Sequence, residues 1–149
     1  LHDALPISHD LPPTAGYLQF EHVQLRERLH LLTESVESFQ ASATAERQAM
    51  LNRLRTLGLI SDEEADDADS HIPQIVEAMH AMLRKSPSLL IQAALVDGVG
   101  ERRTQNQPGT SDQYPNWRIP LADEHGRVVH TDEVFDLPRV KSLAAIMDA

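Results

Sequence analysis

A histidine and an aspartate stand side by side near the start of the chain, in the stretch Ser8-His9-Asp10-Leu11-Pro12-Pro13. The two prolines fix φ and lack N–H donors, so neither a strand ladder nor a helix continues through them. The pair is therefore expected at the end of a secondary-structure element and not inside one. An imidazole and a carboxylate placed there suit catalysis. An aspartate that only caps a turn is the alternative that these residues leave open.

Other catalytic signatures are missing from the 149 residues. There is no phosphate-binding glycine loop and no G-x-S-x-G nucleophile motif. His71 and His80 are nine positions apart, which is not the i, i+4 spacing of a helical metal pair, so both are expected to be ordinary surface histidines. The acidic run over 62–69 lacks the alternating ligands and central glycine of a calcium loop, and is expected to be a solvated helix start.

The charge balance narrows the classes of partner. Acidic residues outnumber basic ones 23 to 13, for a net charge of −10, which argues against nucleic acid or an anionic membrane as a partner. The chain has no cysteine, which favours a reducing, cytoplasmic setting. No apolar run approaches the roughly 20 residues that span a bilayer.

Helices account for most of the predicted structure. Apolar spacing predicts one helix face from Phe20 to Leu32, a helix over about 44–57 that ends at Gly58, and an amphipathic helix over 72–85. Between the last two, Ser61 and Glu64 have the spacing of a capping box. A final helix is expected after Phe135 to Pro138, and His125-Gly126-Arg127 is expected to turn between two short extended pieces.

One apolar run, Leu89 to Val96, predicts a strand buried on both faces, as in a parallel sheet covered by helices. The fold class predicted from the residues is therefore α/β, mostly helical, with its other strands outside this chain. From 100 to 120 the sequence is polar and rich in turns, with Pro108-Gly109 as a turn signal. Tyr114, Pro115 and Trp117 are expected to anchor this stretch as a long ordered loop.

Two stretches resemble one known family, the 4-α-glucanotransferases (amylomaltase or disproportionating enzyme, glycoside hydrolase family 77). The first runs from Ser8-His9-Asp10-Leu11-Pro12-Pro13-Thr14-Ala15-Gly16-Tyr17 into the segment 21–29. The second contains Asn106-Gln107-Pro108-Gly109-Thr110 followed by Pro115-Asn116-Trp117. They occur in the family's order, and together they cover nearly the whole chain from Ser8 onward.

The resemblance implies a (β/α)8 TIM barrel that transfers a segment of an α-1,4-glucan to an acceptor glucose or glucan with retention of configuration, without metal or organic cofactor. Residues 8–149 would be its C-terminal portion, an incomplete domain, and residues 1–7 a leader that need not be native. Asp10 would be the carboxylate that stabilises the transition state, with His9 and Asn106 as substrate-binding residues. The nucleophilic Asp and the acid/base Glu would lie upstream, so the chain is expected to be inactive alone on maltooligosaccharides.

Two alternatives remain at this point. The same barrel would act as a glycoside hydrolase if water replaced the acceptor sugar. The chain could also be a noncatalytic helical interaction module, in which case Asp10 would have no role in turnover.

Overall fold

The computed structural model describes residues 10–148, which form eight α-helices and one short 3-10 helix joined by ordered loops. The α-helices are α1 Thr14–Leu18, α2 Glu21–Arg28, α3 Val36–Thr56, α4 Asp62–Asp66, α5 Ile72–Arg84, α6 Leu95–Val99, α7 Thr131–Val134 and α8 Pro138–Asp148. The 3-10 helix, Ala68–His71, joins α4 to α5. None of the helices in this part of the chain is long and apolar enough to cross a membrane.

The main core lies between α1, α3, α4 and α5. Its buried side chains are small or aliphatic, and Leu18, Leu54 and Ile75 are fully buried. Burying each such side chain is worth about 1.5–3 kcal/mol, so this cluster holds the four helices together. A second, smaller core, centred on Val99 and Val134, joins α6, α7 and α8.

The helix boundaries confirm several expectations from the sequence. Gly58 has φ +66° directly after the end of α3, a conformation that glycine adopts at little cost. The Ser61 side chain accepts from the Glu64 amide, and the Glu64 carboxylate accepts from the Ser61 amide at 2.7 Å, which is the predicted capping box. His125-Gly126-Arg127 turns between Ala122 and Val128, which form an antiparallel bridge.

The helix predicted over 44–57 begins earlier than expected, at Val36. Ser35 is its N-cap, and the Ser35 hydroxyl accepts from the Ser38 amide at 3.2 Å. The stretch up to Ser42 has few apolar residues, and the sequence left open whether it continued or broke a helix. The cap at Ser35 decides the question, because it satisfies a backbone donor of the first turn.

The strand predicted over 89–96 is wrong for this structure. Leu89 and Leu90 are exposed, and residues 95–99 form α6. A doubly buried strand needs neighbours on both edges, and within residues 10–148 the only ladder contact outside helices is the isolated bridge in the hairpin. The segment 88–94 therefore runs along the surface, although its composition is that of a core strand.

The expectation for His80 is also wrong. Its side chain is buried, not exposed, because it follows Ile72, Ile75 and Val76 on the inner face of α5. His71, by contrast, is half-buried at the end of the 3-10 helix, where its ring lies 2.9 Å from the Asp67 carbonyl oxygen.

Candidate functional site

The structure brings Asp10 and Asn106 together, although 96 positions separate them in the sequence. The Asn106 side-chain amide donates to Asp10 Oδ1 at 2.7 Å. Asp10 is exposed and Asn106 is half-buried, so the pair lies at the surface where a ligand can reach it. His9, the third residue expected at the site, lies outside the described residues.

Two further hydrogen bonds hold the segment that carries Asp10. The Thr104 hydroxyl donates to the Leu11 carbonyl oxygen at 3.3 Å, and the Thr14 amide donates to Asp97 Oδ1 at 2.7 Å. With the Asp10–Asn106 contact, three bonds join 10–14 to 97–106, and the two segments run in opposite directions. We call this arrangement the clasp.

Gly16 permits the close approach of the two segments of the clasp. A Cβ atom at this position would lie 2.1 Å from the Arg102 carbonyl oxygen, well inside van der Waals contact. Helix α1 therefore rests directly on the backbone of the opposite segment, and any larger residue at position 16 would push the two apart.

The loop after Asn106 is ordered by its own side chains. Pro108-Gly109 forms the predicted turn, in which Gly109 has φ +84° and the Thr110 hydroxyl donates to the Gln107 carbonyl oxygen at 2.7 Å. Asn116 closes the loop, because its Oδ1 accepts from the Gln107 amide at 2.8 Å and its Nδ2 donates to Thr110 Oγ1 at 2.9 Å. The two halves of the second motif thus fix one loop conformation.

The aromatic residues of this loop differ in their roles. The Tyr114 ring is buried, and its hydroxyl donates to the Thr104 carbonyl oxygen at 2.7 Å, as expected of an anchor. Burial raises the pKa of Tyr114 further above neutral pH, where a tyrosine hydroxyl is already protonated and can donate. Trp117 differs from the expectation, because its side chain is 62% exposed; its backbone amide donates to the Gln105 carbonyl oxygen.

Glu101 organises the base of the loop. Its carboxylate is buried and accepts five hydrogen bonds: from the Arg102 and Arg103 amides, from Arg103 Nε and Nη2, and from the Ala122 amide. Burial opposes ionisation, but the hydrogen bonds from Arg103 and Arg102 hold the pKa of Glu101 below its ordinary value. A single carboxylate therefore ties the start of the loop to the hairpin at Ala122.

A small cleft of about 60 Å³ opens beside Asp10. Its charged lining residues are Asp10, Glu21, Arg26, Arg28, Arg102 and Arg103. In a chain of net charge −10, four of the 13 Lys and Arg residues thus line one cleft. Arg102 is paired with Glu21 at 3.3 Å, so the lining presents fixed donors and acceptors side by side.

His22 also lines this cleft. Its ring stacks on Tyr17, with the ring centroids 5.6 Å apart, and lies edge-on to Phe39. Burial and the nearby Arg26 lower the pKa of His22, which keeps the imidazole neutral. Its Nδ1 atom is buried and has no hydrogen-bond partner among residues 10–148.

Sequence reasoning gave no role to four residues that hold the clasp and the adjoining loop in place, namely His80, Asp97, Glu101 and Thr104. Asp97 directly follows the apolar run 89–96, and it is buried within α6. That position could have indicated a role for Asp97, because a carboxylate buried at the end of such a run must find polar partners. Within residues 10–148, no group of three His, Asp or Glu side chains is arranged to hold a metal ion.

The stretch of chain that carries this site matches a family of carbohydrate-active enzymes. A sequence profile of the 4-alpha-glucanotransferases, glycoside hydrolase family 77, matches residues 4–125. The 4-alpha-glucanotransferase of Mycobacterium tuberculosis is 46% identical over 142 residues, which are 95% of this chain and 19% of that protein. The enzyme of the same name from Haemophilus influenzae is 27% identical over 118 residues, 77% of this chain and 17% of that protein.

A solved structure agrees with the sequence comparisons. The crystal structure of amylomaltase from Corynebacterium glutamicum superposes with a TM-score of 0.85 at 36% identity, over 95% of this chain and 21% of that one. The chain therefore belongs to the 4-alpha-glucanotransferase family. It spans about a fifth of the length of the relatives it matches.

Proposed function

We propose that this chain supplies one corner of the active site of a 4-α-glucanotransferase, which transfers a segment of an α-1,4-glucan to a glucose or glucan acceptor with retention of configuration. Within that enzyme, residues 8–149 correspond to the C-terminal part of a (β/α)8 barrel. The Asp10–Asn106 hydrogen bond is the observation that carries the proposal, since it joins the two stretches that resemble the family. Their loops meet at one surface point, as residues of a single site must.

Asp10 is proposed to stabilise the transition state. Retaining transfer uses a nucleophilic carboxylate and an acid/base carboxylate about 5 Å apart, through an oxocarbenium-like transition state. A third carboxylate can accept hydrogen bonds from sugar hydroxyls next to the reacting carbon, and these bonds strengthen as positive charge develops. The Asn106 amide orients Asp10 for this task by holding Oδ1 at 2.7 Å.

His9 and Asn106 are proposed to bind sugar hydroxyls beside Asp10. An imidazole and an amide each offer a donor and an acceptor, which suits a hydroxyl group that can do both. The arginines and Glu21 in the adjacent cleft add further donors and acceptors at its rim. A polyhydroxylated ligand such as a maltooligosaccharide matches that mixture.

A chimera tests the proposal. Residues 8–149 replace the matched stretch of the M. tuberculosis relative, and glucose release from maltotriose is measured together with the formation of longer glucans. Transfer by the chimera supports the proposal, whereas reducing sugar without longer products would favour a hydrolase. An Asp10→Asn chimera should lose several kcal/mol of transition-state stabilisation, or roughly a hundredfold or more in kcat/KM. Asp132→Asn, at an exposed aspartate in the first turn of α7, is the matched control.

The 149-residue chain by itself should release no glucose from maltotriose, because the resemblance assigns the nucleophile and the acid/base to stretches that it does not match. Turnover by this chain would contradict that assignment. A chimera that folds and keeps full transfer after Asp10→Asn would exclude the role given to Asp10, and would favour the noncatalytic alternative for this region.

A further inference from the structure

Asp97 lies at the end of the clasp where Thr14 is bound. It is buried, only 7% exposed, and its Oδ1 accepts from the Thr14 amide at 2.7 Å. Thr14 is the first residue of α1, and Pro13 before it offers no side-chain cap. The bond to Asp97 therefore satisfies one of the amides that every helix start leaves without an intrahelical partner.

His80 stands behind Asp97. The two form a buried pair in which His80 Nε2 lies 3.5 Å from Asp97 Oδ2, while His80 Nδ1 lies 2.8 Å from the Val76 carbonyl oxygen. A carbonyl oxygen can only accept, so we assign a proton to Nδ1, and the contact of Nε2 with Asp97 is an ion pair when Nε2 carries a proton as well. The carboxylate of Asp97 is thereby held between α1 and α5.

The surroundings strengthen these contacts. A cavity of about 200 Å³ adjoins the pair and is lined in part by Met50, Met79 and Met82. An apolar lining lowers the local dielectric, and hydrogen bonds and charge pairs are stronger there than in water. Asp97 thus has one backbone partner, in α1, and one side-chain partner, in α5.

The restraint at Thr14 extends to Asp10. Pro12 and Pro13 fix two of the φ angles between the two residues, so the Thr14 amide and the Asp10 backbone have fewer ways to move independently. On the opposite segment, Thr104 and Asn106 hold Leu11 and Asp10. We propose that Asp97, supported by His80, is a positioning residue that sets the register of the clasp and hence the place where Asp10 meets Asn106. The consequence for glucan transfer rests on the proposed function, whereas the restraint itself does not.

Amide hydrogen exchange of the 149-residue chain, followed by NMR, tests the restraint. Asp97→Ala should speed exchange of the Thr14 amide by roughly tenfold to a hundredfold, as expected when a hydrogen bond to a charged group is lost. The side-chain amide resonances of Asn106 should shift in the same variant. Asp97→Asn keeps an oxygen that can accept from Thr14, so it should restore most of the protection.

Asp62→Ala and Asp62→Asn are the matched controls, since Asp62 is an exposed aspartate whose carboxylate lies 3.7 Å from Arg55. The Glu64 amide, capped by Ser61, is the internal reference for local stability. A uniform rise in exchange at Thr14 and Glu64 would mean that Asp97 only stabilises the fold, and would overturn the proposal. Unchanged Thr14 protection in Asp97→Ala would overturn it as well.

If Asp97→Ala does not fold, His80→Gln decides the matter, because it removes the support while leaving the acceptor in place. Faster Thr14 exchange and a shifted Asn106 amide in that variant support the proposal, and wild-type values overturn it. The chimera separates the two claims. Faster Thr14 exchange with unchanged kcat/KM in an Asp97→Ala chimera would overturn the consequence for transfer and leave the restraint supported, while the Asp10→Asn chimera tests the role of Asp10 itself.

Discussion

The side-chain amide of Asn106 donates a hydrogen bond to the carboxylate of Asp10 at 2.7 Å. Each residue lies in a segment that is stiff for its own reason, two prolines after Asp10 and the Asn116-closed loop after Asn106. The contact therefore requires little ordering of flexible chain when it forms. Two motifs that are far apart in the sequence are therefore in direct contact in the folded chain.

This contact predicts a coupled response to substitution. Asn106→Asp places two carboxylates face to face and should destabilise the chain, whereas adding Asp10→Asn to it restores a donor and an acceptor. The coupling energy between the two positions should be about 1 kcal/mol, since the pair is largely exposed. Urea unfolding of the single and double variants measures it, and additive effects would show that the hydrogen bond contributes nothing.

The same double exchange separates structure from chemistry. In the chimera, Asp10→Asn with Asn106→Asp keeps the hydrogen bond but moves the charge to position 106. Transfer should stay as low as in Asp10→Asn alone, because the role proposed for Asp10 requires a carboxylate acceptor at position 10. Recovered transfer would mean that the contact, and not the carboxylate at Asp10, is what the reaction needs.

The close approach at Gly16 predicts a steric effect. Gly16→Ala puts a methyl group 2.1 Å from the Arg102 carbonyl oxygen, so α1 or the opposite segment must move. The free energy of unfolding should fall by about 1–3 kcal/mol or more. Gly98→Ala is the control, because a Cβ there would meet its nearest atom, in Val140, at 3.4 Å. Thermal unfolding compares the two, and equal losses would contradict the close approach.

Local patterns predicted the helical part of the fold well. The capping box at Ser61 and the stop at Gly58 depend only on residues within one or two turns, and apolar periodicity found α5 within one residue of its observed end. The start of α3 was missed because Ser35 precedes a polar stretch, and a cap without an apolar stripe behind it gives a weak signal.

The errors share a physical cause, which is that burial depends on partners distant in the sequence. Leu89 and Leu90 are as apolar as any core residue, but within residues 10–148 no strand lies beside them. His80 lies on the apolar face of α5, but the carboxylate that pairs with the buried imidazole, Asp97, lies on another helix, so the sequence did not show how this face accommodates a histidine. Spacing located Asp10 and Asn106 as motif residues, but only the folded chain shows the bond between them.

Glu101 predicts a dependence of stability on acid. Its pKa is lowered in the folded chain, so it stabilises the fold above its unfolded pKa of about 4.3, and that contribution is lost as the pH falls through the folded value. Glu101→Gln should cost about 1–3 kcal/mol at pH 7, because Arg103 and three backbone amides lose an ionised acceptor. It should also flatten the loss of stability below pH 4, measured by urea unfolding. An unchanged acid slope would mean that other carboxylates cause it.

His22 predicts a second pH effect, at higher pH. Burial, aided by Arg26, lowers the pKa of His22 in the folded chain, so the unfolded chain binds a proton more readily. The contribution of neutral His22 is therefore present above the unfolded pKa of about 6.5, and is lost as the pH falls through the folded value. His22→Phe keeps a ring that can stack on Tyr17 and removes the titration. Between pH 7.5 and 5.5, urea unfolding of the variant should show a smaller loss of stability than the wild-type chain. NMR of the His22 ring provides the direct measurement, and a midpoint at or above 6.5 would contradict the burial of this imidazole in its neutral form.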